Sequence, residues 1–146
     1  MSTASGSARA PLTRSPNRLV ATIFGAVYTL VGLVGFFVTG GVDFAGTEGA
    51  SLLGFEVNPL HNIVHLLIGI ALLIGGLSSV SAAKSVNGIV GAVYLLVGIL
   101  GFFIENTGAN ILALNTADHF LHLVSAVVLL GVAIGADKSA ARARVA

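Results

Sequence analysis

The chain has no cysteine and no tryptophan, one methionine and three prolines among 146 residues. Without cysteine there are no disulfides, no thiolate metal sites and no cysteine nucleophile, and the redox state of the compartment leaves no mark on the sequence. Charge is scarce too: Asp, Glu, Lys and Arg make up 9% of residues, against 55% hydrophobic. Ordinary soluble domains carry about a quarter charged residues, and the mean hydropathy here is +0.99. No nucleophile and base arrangement, phosphate loop, HExxH element or basic nucleic-acid patch is present. The composition is that of a membrane protein.

What the chain does have is four long apolar runs: Leu19 to about Thr39, Leu60 to about Leu77, Gly88 to about Ile104, and Phe120 to about Ala136. Crossing ~30 Å of hydrocarbon takes roughly 17 to 25 mostly apolar residues in a helix. The expected fold is therefore an all-α membrane protein of four transmembrane helices forming one domain over residues 18–137, with no space for a separate catalytic domain. Residues 1–17, rich in Ser, Ala, Thr and Pro, read as a mobile cytoplasmic tail, and residues 138–146 as a basic cytoplasmic tail. A cleaved signal peptide is the rival reading of the first run, which has a basic leader, but about 21 apolar residues is long for that role.

An internal repeat argues against the rival more strongly. Residues 23–37 align without a gap on residues 89–103, with 11 identities in 15 positions. The second and fourth runs repeat more loosely, Asn58 to Leu66 lying over Asn115 to Leu123 and matching at Asn58/Asn115, His65/His122 and Leu66/Leu123. The unit is a two-helix hairpin, about 19–80 and again about 87–136. An even number of spans per unit makes this a tandem parallel repeat, with its pseudo-twofold axis along the membrane normal.

All seven basic residues fall on one side of the expected topology: Arg9, Arg14 and Arg18 before the first run, Lys84 between the second and third, and Lys138, Arg142 and Arg144 after the fourth. By the positive-inside rule that side, with both termini, is cytoplasmic, and the membrane is the cell inner (plasma) membrane. Asp43, Glu48, Glu56, Glu105 and Asp118 fall on or near the opposite side, while Asp137 is the exception.

Gly25, Gly32 and Gly35 recur as Gly91, Gly98 and Gly101. Lipid tails compete equally for apolar side chains, so these small residues are expected to be packing faces for close helix approach. Tyr28 and Tyr94, equivalent by the repeat, lie near mid-membrane, where a hydroxyl needs a partner. Helical side chains lean toward the N-terminus, which predicts hydroxyls pointing to the cytoplasm, a structural hydrogen bond, and no direct contact with histidine.

All four histidines fall in the first two turns of the second and fourth helices, for which Asn58 with Pro59, and Asn115 or Thr116, are suitable starts. His61 and His65 are four apart and share a face, as do Asp118 and His122, with His119 three before His122. Folding about the pseudo-axis would gather His61, His65, Asp118 and His122 into one cluster just below the outer surface, with His119, Glu56 and Glu105 in its surroundings. Three imidazoles and a carboxylate suit zinc, copper or nickel, and a haem held by one histidine from each copy is chemically open. Neither cofactor follows from spacing alone, since polar residues at helix starts also bond to caps, loop carbonyls and one another.

The stretch from Leu53-Gly54 through Asn58, His61-Asn62 and His65-Leu66, followed by Asn115-Thr116-Ala117-Asp118 and His122-Leu123, resembles a bacterial family of small four-helix integral membrane proteins catalogued as a domain of unknown function. The likeness covers about residues 17–136. It implies His61, His65, Asp118 and His122 as a shared polar core. The family has Asn more often at the position of His119, so His119 stands outside that core. No activity comes with it.

The sequence thus leads to a non-enzymatic membrane protein with an outward-facing His/Asp site. A metal- or haem-binding accessory protein is the first alternative, and a small oligomeric transporter or channel the second. The expected partners are the lipid bilayer and a second copy or a membrane-complex subunit, with no nucleic acid.

Overall fold

The computed structural model describes residues 11–138. A 3-10 turn, Leu12–Arg14, leads into α1 (Pro16–Val38); β1 (Ala50–Leu52) and β2 (Phe55–Val57) follow, then α2 (Pro59–Ser78), α3 (Val80–Ile104) and α4 (Thr116–Gly135). All four α-helices are long and apolar enough to cross a membrane, each with mean hydropathy near 2 over its most apolar stretch. This is a multi-pass membrane protein.

Every helix begins at a side-chain cap. The Ser15 hydroxyl accepts from the Arg18 amide, with Pro16 opening α1. Asn58 accepts from His61, Ser79 from Ala82, and Asn115 from Asp118, whose carboxylate returns the bond to complete a capping box. The cap at Ser79 starts α3 at Val80, well before the apolar run that begins at Gly88. Hydropathy detects only the buried-in-lipid part of a helix, and the first two turns of α3 carry Ser81, Lys84, Ser85 and Asn87.

The all-α expectation needs one correction. Between α1 and α2 the chain forms an antiparallel hairpin pairing Ala50 with Val57 and Leu52 with Phe55. Its two-residue tip, Leu53 and Gly54, has φ of 54° and 92°, the left-handed pair that matches strand twist. Strands of three residues are too short for alternation to show in a sequence. The hairpin is laced to the loop between α3 and α4: Asn115 Nδ2 donates to the Gly54 carbonyl at 2.9 Å, and Asn58 Nδ2 to that of Ile111 at 2.9 Å.

α1 packs closely along α2, and α3 along α4, at the glycines. A Cβ on Gly32 would meet the Asn62 carbonyl at 2.8 Å and on Gly98 the Leu123 side chain at 2.8 Å, while Gly35 and Gly101 seat the Asn62 amide and the His119 ring. The same glycines expected to be packing faces thus set the interhelical distance, because only a bare backbone lets neighbours so close. A buried core of Ala21, Tyr28, Leu72, Ala83, Val90, Tyr94, Ala126 and Leu129 runs between the pairs.

At the end of the bundle opposite the hairpin Arg18, only 6% exposed, donates through Nε to the Gly76 carbonyl at 2.8 Å and through a terminal nitrogen to that of Leu77 at 3.0 Å. Lys84 does the same for α4, donating to the Ala136 carbonyl at 2.7 Å. Both cations sit where helix carbonyls are left over and the dipole is negative. Of the segment read as a tail, residues 1–10 lie outside the described residues, as do 139–146 of the basic tail; Ser15 and Asn17 are buried. Asp137 accepts from the Ser15 hydroxyl at 3.0 Å and from the backbone and side-chain nitrogens of Asn17 at 3.1 and 2.9 Å. Burial opposes its charge, but the Asn17 and Ser15 bonds and the nearby Lys84 outweigh burial and hold its carboxyl below the usual carboxylate range.

Candidate functional site

The caps of α2 and α4 position the polar groups at the hairpin end of the bundle. With Asn58 fixing the start of α2, His61 falls in its first turn and His65 one turn deeper, both facing inward and at most 2% exposed. His61 Nδ1 lies 3.1 Å from the Glu56 carbonyl, and His61 Nε2 lies 3.1 Å from His65 Nε2. A carbonyl only accepts, so His61 carries its proton on Nδ1 and turns its Nε2 lone pair toward His65. His65 then donates from Nε2, and its Nδ1 is left as an acceptor.

From α4, His122 brings its ring centroid to 6.2 Å from those of both His61 and His65. Ligand atoms of His61, His65 and His122 all lie within 4.8 Å of one another, and all three residues are buried. Beside them is a void of about 30 Å³ lined by these rings with Ile68, Tyr94 and Leu112. His65 Nδ1 and both ring nitrogens of His122 are buried without a hydrogen-bond partner among the described residues. Such a group costs about 1–3 kcal/mol when left unsatisfied, so this is a destabilised arrangement as it stands.

The other singled-out residues are placed differently. Asp118 lies outside the three-histidine set; its Oδ2 accepts from the Asn115 amide at 2.9 Å and the Glu56 amide at 3.3 Å, and its buried Oδ1 has no partner. His119 faces away from the cluster: its Nε2 lies 3.0 Å from Glu105 Oε2, and Glu105 also accepts from the Thr116 hydroxyl at 3.0 Å. Glu56 contributes its backbone at both His61 and Asp118.

The tyrosines correct one expectation and meet another. Tyr28 Oη and Ser125 Oγ are 2.7 Å apart, the structural bond that a mid-membrane hydroxyl requires, but the expectation holds for Tyr28 alone, since the buried Tyr94 hydroxyl makes no such bond among the described residues. Contact with histidine, expected to be absent, is present twice: Tyr28 lies 5.2 Å from the His65 ring, and Tyr94 stacks on His122 at 4.9 Å and 15°. Side-chain direction governs where the hydroxyl goes; the contact is made by the ring body, nearer the backbone. Ser125 was legible only as a lone hydroxyl inside an apolar run.

A second cavity, about 340 Å³, opens between α1 and α4 beneath the hairpin. Its walls include Ile23, Val27 and Val124, its roof Leu53 and Phe55, and His65 and Asp118 are among its polar lining. Nothing in the apolar periodicity distinguishes this groove from any lipid-facing seam.

The family model described as Domain of unknown function (DUF4383) matches residues 18–135. No curated protein and no solved structure matches the chain. The match spans the four helices and the loops between them, and the chain belongs to this family.

Proposed function

We propose that this DUF4383 protein is an inner-membrane protein that holds one transition-metal ion between His61, His65 and His122, on the outer side of the membrane. The observation that carries the proposal is His122: both its ring nitrogens are buried and unpartnered beside two other imidazoles. A polar cluster kept for structure alone would satisfy its members. A cation shared by three lone pairs satisfies them at once, at about 2.0–2.1 Å per nitrogen for zinc.

Two further features support an ion. The Glu56 carbonyl pins His61 with Nε2 exposed toward its neighbours, the orienting role that carbonyls serve behind metal-bound histidine. The void beside the rings, about 30 Å³, suits one small species and is far too small for a haem. Neutral nitrogen donors favour zinc, copper or nickel over magnesium or calcium. Asp118, one helical turn before His122, lies outside the three-histidine set, so the ligands assigned here are the three imidazoles.

The topology assumed is the tandem parallel repeat with cytoplasmic termini. It is supported by the seven basic residues on one side, by the paired glycine contacts, and by Arg18 and Lys84 capping α2 and α4 in equivalent ways. No residue of the site acts as nucleophile, and the reading is a binding protein rather than an enzyme.

Elemental analysis of protein purified in detergent without chelators tests this, comparing wild type with the His65→Ala, His122→Ala double variant. About one ion per chain, lost in the variant, is the expected result. A metal-free wild type that takes up no zinc, copper or nickel on reconstitution overturns it.

A further inference from the structure

The groove between α1 and α4 has a counterpart that is closed, and the metal reading makes no use of the difference. In the sequence repeat, Tyr28 and Val31 of α1 answer to Tyr94 and Val97 of α3, and Ser125 of α4, two residues beyond the aligned Asn115 to Leu123, answers to Ile68 of α2. Tyr28, Val31 and Ser125 line the α1 to α4 groove of about 340 Å³. Tyr94, Val97 and Ile68 line the void of about 30 Å³ between α2 and α3. One seam of the pair is thus nearly filled by the chain itself, and the other is left open.

The physical causes are local. A single residue, Ser79, separates α2 from α3, so those helices are held side by side, whereas no direct link joins α1 to α4. The Ile68 side chain packs against the core. The smaller Ser125 at the equivalent position spends its hydroxyl on Tyr28 at 2.7 Å and leaves the remaining volume empty. An unfilled space forfeits the dispersion contacts of its walls, so an occupant is favoured.

The walls decide what that occupant is. Ile23, Val27 and Val124 are 51%, 51% and 62% exposed on helices that cross the membrane, so the mouth opens on hydrocarbon, and the surface inside is almost wholly apolar. On α1 the lining runs from Ile23 to Val31, roughly 12 Å of helix. Spread over that length, about 340 Å³ is a cross-section of roughly 30 Å². A helix with its side chains, about 10–12 Å across, needs roughly 80 Å² or more. A single hydrocarbon chain with neighbours at van der Waals contact needs roughly 20 Å². The groove therefore takes one chain and excludes a helix from a second copy.

We propose that the α1 to α4 groove is a binding site for one phospholipid acyl chain, which does for this seam what Ile68 does for the seam between α2 and α3. Recognition is by shape and apolar contact along the chain, and the headgroup plays no part in it.

The test uses full-length protein delipidated in dodecyl maltoside with chelator present, so its outcome is independent of the metal result. The probe is dioleoylphosphatidylcholine, counted by native mass spectrometry. One lipid per chain is expected to bind roughly tenfold or more tighter than any further lipid, and dioleoylphosphatidylglycerol is expected to bind equally. Val124→Trp, which places an indole over the mouth, and Ser125→Ile, which installs the residue of the closed seam, each lose that tight lipid. Leu67→Trp, at the position equivalent to Val124 and 64% exposed on α2, keeps it. The proposal is overturned by graded binding with no distinct first lipid, by a tenfold preference for one headgroup, or by retention of the tight lipid in either folded groove variant. Equal loss in Leu67→Trp overturns it too, as does a dimer that forms in place of lipid binding and that Val124→Trp breaks.

Discussion

His122→Phe separates a metal site from a structural polar core, because the two predict opposite signs. In the ion-free protein the wild-type ring buries two unpartnered nitrogens against Tyr94, on which it stacks at 4.9 Å. Removing both unsatisfied groups returns about 1–3 kcal/mol each. The slightly larger phenyl ring takes back about 1–3 kcal/mol in overpacking while keeping the stack on Tyr94. The net centres on a gain of about 2 kcal/mol for the variant without metal, within bounds of about −1 to +5 kcal/mol. With zinc at about a hundred times its dissociation constant, wild type gains about 2.7 kcal/mol by mass action, whereas the variant, short of one ligand of three, gains little. The ranking of the two proteins therefore inverts or closes on adding metal. Reversible unfolding in mixed micelles, with chelator and then with zinc, measures both differences. A variant less stable than wild type in chelator by more than about 1 kcal/mol, with the same response to zinc as wild type, would show that His122 has a structural partner and would refute the reasoning.

Three other outcomes are expected. His119→Asn breaks the bond to Glu105 but leaves the metal stoichiometry unchanged, because His119 faces Glu105 and not the three-histidine cluster; loss of the ion in elemental analysis would place His119 in the site after all. Gly32→Ala lowers thermal stability by about 1–3 kcal/mol, since its methyl would meet Asn62 and Leu66 backbone atoms at 2.8 and 3.0 Å, whereas Gly131→Ala, with open space around it, is neutral or slightly stabilising; equal melting temperatures would deny that Gly32 sets the α1 to α2 distance. Asp137 has a depressed carboxyl pKa, so its stabilisation is full above the unfolded value of about 3.9 and fades as pH falls through the lower folded value. The stability gap between wild type and Asp137→Ala should accordingly narrow on acidification below about pH 4 in unfolding titrations, and a gap that does not change with pH refutes the clasp with Ser15 and Asn17.

Much of this molecule was legible because lipid imposes few solutions. A helix must satisfy its own backbone in hydrocarbon, so run length alone located α1 to α4, and Asn58-Pro59 and Asn115 marked where α2 and α4 begin. Spacing of four placed His61 with His65, and Asp118 with His122, on common faces. The early start of α3 was hidden because its first turns are polar, and the hairpin was hidden because three-residue strands have no period to detect. Tyr28 and Tyr94 were recognised as interior, but their ring contacts with His65 and His122 depend on how far α1 and α3 stand from the histidine helices. Linear spacing does not contain that distance.

By itself the sequence determined the number of spanning helices, the glycine faces by which they approach, and the location of every histidine in the first two turns of α2 and α4, all consequences of local composition and helical period. Only the tertiary structure decided that His119 turns away to Glu105 while His61, His65 and His122 converge, that Asp118 spends one oxygen on the Asn115 and Glu56 amides, and that α1 and α4 part beneath the hairpin to leave a groove. Each of these depends on relative helix rotation and on a loop crossing from one hairpin to the other, and those are settled by packing between residues far apart in the chain.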